Sequence, residues 1–178
     1  MNNNQICLFS ILFALFFLVR PIGAEERVLS IVKSLYPGYK LITINDFDDL
    51  DKDFLLNTRI NNNPGYVEAD FDGNGLNDFA MILNKNSRKG AIFSVALQTR
   101  KNEYKTYEIL RYKSTVDPIC VFLLKPKTLI LPTDAFNAGN RSITLQYPGI
   151  ELVYIGKASI AYYWDKKTRT FRSITTGD

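Results

Sequence analysis

Apolar residues recur along this chain in two rhythms, and an almost continuous apolar run precedes both. The run, Ile6 to Val19, is 14 residues long. A membrane-spanning helix needs about 20, whereas the apolar region of a secretory signal peptide is of this shorter length. Pro21 breaks it, and Ile22-Gly23-Ala24 offers a cleavage site after Ala24. Residues 2–5 read Asn-Asn-Asn-Gln, so only the terminal amine supplies positive charge ahead of the run. Residues 1–24 are therefore expected to be a cleaved signal peptide, with an uncleaved anchor as the alternative. Residues 25–178 are expected to be a single β-rich domain, periplasmic or secreted, with no transmembrane span after cleavage.

The first rhythm is helical. Val28, Leu29, Ile31, Val32 and Leu35 lie near a 3.6-residue spacing, which predicts a short amphipathic helix over Glu25–Leu35 ended by Pro37-Gly38. The second has a period close to two, or short continuous apolar runs between turn residues. It predicts strands at Tyr39–Ile44, Phe79–Leu83, Ala91–Thr99, Tyr104–Tyr112, Ile119–Leu124, Thr128–Leu131, Ile143–Tyr147, Gly149–Ile155, Ala158–Trp164 and Thr170–Ile174. Between them Asp46–Leu56 reads as a further short helix or turn, and Asn61-Asn62-Asn63-Pro64-Gly65 as a loop. Many short strands with tight turns make an antiparallel meander, sandwich or barrel. The fold class expected is mainly β within α+β, with one short N-terminal helix. No internal repeat supports a multi-bladed propeller.

Composition narrows the chemistry. Aromatics are 13% of the chain, mostly Tyr and Phe, in keeping with strands. The net charge is +4, and the cations are scattered, so no nucleic-acid partner is expected. Histidine is absent, which removes Ser-His-Asp and Cys-His catalysis and imidazole-based zinc sites from this chain. Of the two cysteines, Cys7 lies in the leader and Cys120 in the apolar run Ile119–Leu124, where it reads as a small buried hydrophobe.

One stretch carries more chemistry than the rest: Asp70-Phe71-Asp72-Gly73-Asn74-Gly75-Leu76-Asn77-Asp78. Counting Asp70 as the first position, Asp72 is third, Asn74 fifth and Asp78 ninth, and Leu76 at the seventh offers a main-chain carbonyl. Gly75 stands at the sixth, where calcium loops turn sharply, and Gly73 adds freedom for positive φ. Three carboxylates in one tight loop repel each other by roughly 1 kcal/mol or more per close pair, and a divalent cation removes that cost. Met81 occupies the twelfth position, where helix-loop-helix sites place a bidentate Glu, and an apolar strand-like run follows Asp78. A calcium loop between strands is expected, with metal ligands Asp70, Asp72, Asn74, Leu76 and Asp78. The same residues also suit a plain turn in which Asp and Asn cap backbone amides. Magnesium, which keeps several of its waters, suits so many protein oxygens less well.

A second acidic group, Asp46, Asp48, Asp49, Asp51 and Asp53, has no glycines among its members. It reads as the solvated face and N-terminus of a short helix, where carboxylates favour the dipole.

The segment Glu68 to Ala80 resembles the calcium loop of FG-GAP/VCBS-type repeats, which carry an Asp-Phe-Asn-Gly-Asp-Gly-x-x-Asp-hydrophobic-Ala run; here Asp72 and Asn74 exchange acid and amide. The end of the chain, Gly149–Tyr154 and Ala161–Asp165 followed by Phe171, is similar to small exported bacterial proteins with a single such loop. The resemblance implies calcium on Asp70, Asp72, Asn74, Leu76 and Asp78, and no reaction. Tyr162-Tyr163-Trp164 reads as alternation between core and surface, with a carbohydrate or partner platform as the alternative.

The function expected is an exported, calcium-binding, non-enzymatic domain that binds a protein or a component of the cell envelope. A periplasmic inhibitor or immunity protein against a toxic enzyme also fits. A carboxylate-based hydrolase using Asp117, Asp134 or Glu151 fits less well, because no motif pairs these acids.

Overall fold

The computed structural model describes residues 23–58, 63–86, 90–113, 118–133 and 142–177. The apolar leader up to residue 22, Asp117 and Asp134 lie outside them. Helix α1 spans Ala24–Leu35, and Val28, Ile31 and Val32 form its buried stripe. Glu25 and Glu26 in its first turn and Lys33 in its last complement the helix dipole. Among the described residues no helix is long and apolar enough to cross a membrane.

Among the described residues eleven strands follow, mainly antiparallel, as the period-two pattern predicts. Strands β1 (Tyr39–Leu41), β2 (Tyr66–Ala69), β3 (Asp78–Lys85), β4 (Ala91–Arg100) and β5 (Glu103–Tyr112) form one sheet. Strands β6 (Ile119–Leu124), β9 (Gly149–Tyr154), β10 (Ala158–Asp165) and β11 (Thr170–Gly177) form a second, in the order β11-β10-β9-β6. The hairpin of β7 (Leu129–Ile130) and β8 (Ile143–Thr144) stands apart.

The layers explain why β3 and β4 read as continuous apolar runs. Phe79, Met81, Leu83, Ile92 and Ala96 pack with Val28, Ile31 and Val32 of α1. Ala80, Ile82, Phe93, Val95 and Leu97 join Ile119, Val121, Ile150, Leu152 and Tyr162 of the second sheet. Both faces of these two strands are thus buried, and alternation vanishes. The Ser94 hydroxyl meets Tyr36 Oη at 2.6 Å and donates to the Tyr107 carbonyl at 2.9 Å, so this buried polar group is satisfied. On the far side of the second sheet, Ile130 and Leu145 cover Ala161 and Ile174.

The edge of β3 is completed by two short strands in place of one. β1 pairs with Leu83–Lys85 and β2 with Asp78–Met81. Between them the chain leaves the sheet for a 3₁₀ turn (Ile44–Asp46) and helix α2 (Asp49–Asn57). The strand expected over Tyr39–Ile44 stops at Leu41 because Thr43 and Asp46 form a reciprocal cap that turns the chain. Gly65 re-enters where a Cβ would lie 2.0 Å from the Ile42 carbonyl oxygen, so no other residue fits there without displacement. The acidic group behaves as expected of a helix start: Asp48 caps α2 by accepting the Asp51 N–H at 2.9 Å.

Candidate metal centre

The loop of residues 70–77 joins β2 to β3, and Ala69 pairs with Asp78 at its base. The structure places Asp78 as the first residue of β3, with no exposed surface. Phe71 is also fully buried and belongs to the core between the sheets. This inward aromatic pins the loop and leaves the neighbouring Asp70 and Asp72 on its polar side.

Backbone amides set the carboxylates in place. Asp70 Oδ1 accepts the N–H groups of Gly73 at 2.8 Å and Asn74 at 3.0 Å, and its Oδ2 accepts that of Gly75 at 2.8 Å. Asp72 Oδ1 accepts the Asn74 N–H at 3.1 Å. Asp78 accepts from Phe71 N at 2.8 Å and from Gln98 N, on β4, at 2.7 Å. Such turns require left-handed backbone at Gly73 (φ 78°) and Gly75 (φ 83°). Gly73 has a second reason to be glycine: a Cβ there would sit 2.1 Å from the Tyr147 ring.

The outcome is that Asp70, Asp72 and Asp78 each bring a carboxylate oxygen within 4.8 Å of the others, a group that can hold a metal ion. Oxygens bound to one calcium ion at 2.3–2.6 Å stand no more than about 5 Å apart, so the spacing is compatible with that ion. Electrostatics point the same way. Burial pushes the Asp78 carboxyl up to about 7, against the Gln98 and Phe71 amides that lower it, and the Asp72 and Asp70 charges add to the rise. Asp72 is also raised, mainly by burial and by Asp70. Desolvated acids that share a site hold protons too tightly, and a cation relieves the same strain.

Of the other two expected ligands, Asn74 and Leu76, the Asn74 side chain already has partners within the protein. Asn74 Oδ1 accepts the Leu76 N–H at 2.7 Å, and its Nδ2 donates to the Gln98 carbonyl at 2.8 Å. Asn74 therefore ties the loop to β4 in this arrangement. Asn77 Nδ2 donates to Glu68 Oε1 at 2.7 Å, and Glu68 is held in turn by Arg27 of α1 at 2.6 Å. Gln98 and Tyr147 are the contributors the sequence did not signal, because both come from distant strands and carry no loop-like spacing.

Glu151, one of the acids weighed for hydrolysis, accepts from the Thr176 hydroxyl at 3.4 Å on the second sheet. Cys120 is fully buried, and burial pushes its thiol up to about 12, which leaves it inert. No family model, curated protein or solved structure matches the chain.

Proposed function

We propose that the loop binds calcium and that the protein is an exported, non-enzymatic domain whose partner is a protein or a component of the cell envelope. The observation that carries this is the convergence of Asp70, Asp72 and Asp78 within 4.8 Å. Two left-handed glycines and a fully buried Asp78 support it. The likeness of the loop to FG-GAP/VCBS-type calcium loops supports it from the side of sequence. Oxygen-only donors suit a hard cation. Asp70, Asp72 and Asp78 hold the ion through carboxylates, with the Leu76 carbonyl and the Asn74 amide as further oxygen donors. The ion supplies charge neutralisation and locks the base of β3 to β2. The lack of histidine and of paired acids in a shared motif favours binding over catalysis.

The test is thermal. An ion that binds only the folded chain stabilises it by about 2.7 kcal/mol at a hundredfold excess over Kd. Calcium is expected to raise the melting temperature of the wild type. Asp72→Ala, whose carboxylate takes only one backbone N–H in this loop, is expected to remain folded and to lose the shift. Identical wild-type melting curves in calcium and in chelator would sink the proposal.

A further inference from the structure

A cleft of about 400 Å³ opens beside the loop, with Asp72, Lys105, Tyr107, Trp164, Lys166 and Arg169 in its wall. Its lining comes from four places: the loop before β3, the strands β4 and β5, and the end of β10 with the turn that follows it. Trp164 and Lys166 also line an adjoining cleft of about 770 Å³.

The charges here are unbalanced. Arg27, Lys40, Lys52, Arg111 and Arg172 all have carboxylate partners. Among the described residues, Lys105, Lys166 and Arg169 have none. Lys105 Nζ lies 4.9 Å from the Tyr107 ring centroid, and Lys166 Nζ is 3.4 Å from Tyr147 Oη. Asp165, the nearest acid in the turn, is committed to the Lys167 N–H at 2.9 Å and to Arg172 at 3.4 Å. Three cations thus face one carboxylate.

Arg169 is held in the left-handed region at φ 52°, where its N–H closes the turn onto the Asp165 carbonyl at 2.8 Å. A non-glycine residue in that region costs roughly 1–2 kcal/mol. Glycine would serve the turn better, yet the position carries an arginine, and that residue lines the cleft. Trp164 stands edge-on to Tyr107 at 5.5 Å and to Phe171 at 5.2 Å, so its orientation is fixed by packing.

We infer that this cleft binds an anionic saccharide, a sugar whose carboxylate or phosphate meets Lys105, Lys166 and Arg169 while its ring lies against the Trp164–Tyr107 wall. Sugars offer apolar C–H faces that stack on aromatic rings and hydroxyls that donate to a carboxylate such as Asp72. Inorganic anions would use neither. The inference goes beyond the calcium proposal and stands without the ion, so its titrations are run in chelator as well as in calcium.

Trp164 is the only tryptophan in the chain, so tryptophan emission reports directly on the cleft. Trigalacturonate supplies the carboxylate probe, glucose 6-phosphate the phosphate probe, and maltotriose the neutral control. At least one anionic probe is expected to change the emission saturably, with an affinity that falls as salt is raised, and maltotriose is not. The responding probe identifies the anion. Arg169→Gly is expected to melt no lower than the wild type and to bind about tenfold more weakly or worse, the loss expected for a hydrogen bond to a charged group. Lys166→Gln serves as a second variant with the same expected loss. Absence of a saturable change with both anions, an equal response to maltotriose, tighter binding of adenosine monophosphate than of either sugar, or unaltered affinity in both variants would each overturn the inference. Failure here with an intact calcium shift leaves the loop proposal standing, and the reverse holds as well.

Discussion

Aspartates crowd two stretches of this protein, five of them between residues 46 and 53 and three between 70 and 78. In the first stretch the described acids form no shared site, although burial and the neighbouring Asp48 raise Asp51. Asp46 is held below the usual carboxylate range: burial pushes it up, but Lys40 and the N–H and hydroxyl of Thr43 outweigh that. Asp48 caps a helix, and Asp49 stands fully in solvent beside Lys52. In the second stretch Asp72 and Asp78 both move up, opposite to Asp46, because the loop folds them out of bulk water and toward each other and Asp70. The richer stretch is the poorer candidate. Two glycines and an inward phenylalanine decide the matter, since they let a backbone close around oxygens that an α-helical start would fan outward.

This contrast can be broken most forcefully at Asp78. Asp78→Ala leaves the N–H groups of Phe71 and Gln98 without their acceptor, and an unsatisfied buried donor costs about 1–3 kcal/mol. A loss of roughly 3 kcal/mol or more in urea unfolding is expected, together with the calcium response. A loss below about 1 kcal/mol would mean that the loop is not braced as described.

Acidity gives the next largest effect. In chelator, the folded chain keeps the Asp78 proton up to about 7, whereas its ordinary value of 3.8 applies once unfolded. The folded state therefore binds more protons across that window, and stability falls as pH rises through it. Saturating calcium is expected to abolish the fall, since the ion takes the proton's place. Urea midpoints in chelator that rise over this window would contradict the burial assigned to Asp78.

The smallest effect is expected in the other stretch. Asp49→Ala removes an exposed ion pair with Lys52, worth no more than about 0.5 kcal/mol for helix neighbours of this kind. Its calcium-induced shift should match that of the wild type. A weakened shift would mean that the two acidic stretches are coupled.

Much of the architecture was legible because burial follows period. The α1 stripe of Val28, Ile31 and Val32 was readable, and so were most strand positions, to within a few residues at their ends. Strand β2 was not. Tyr66, Val67, Glu68 and Ala69 are all half-buried, so no alternation marks them, and the preceding Asn-Pro-Gly signal suggested an open loop. The strands expected over Thr128–Leu131 and Ile143–Tyr147 shrink to Leu129–Ile130 and Ile143–Thr144, a minimal hairpin set over the second sheet. The three carboxylates could be found from spacing alone. Their support from Gln98 could not, nor could the gathering of Lys105, Lys166 and Arg169, because both are products of strand pairing between remote segments.

The carbonyls of Pro64 and Gly65 face different sheets. Pro64 accepts from Val121 of β6 at 3.0 Å, and Gly65 accepts from Ile82 of β3 at 2.8 Å. Two consecutive peptide units thus act as a rivet through both halves of the sandwich, placed five residues ahead of Asp70. Neither half can slide past the other without loosening the stalk on which the acidic loop stands. Any tension on the second sheet would be transmitted to the loop through the backbone itself.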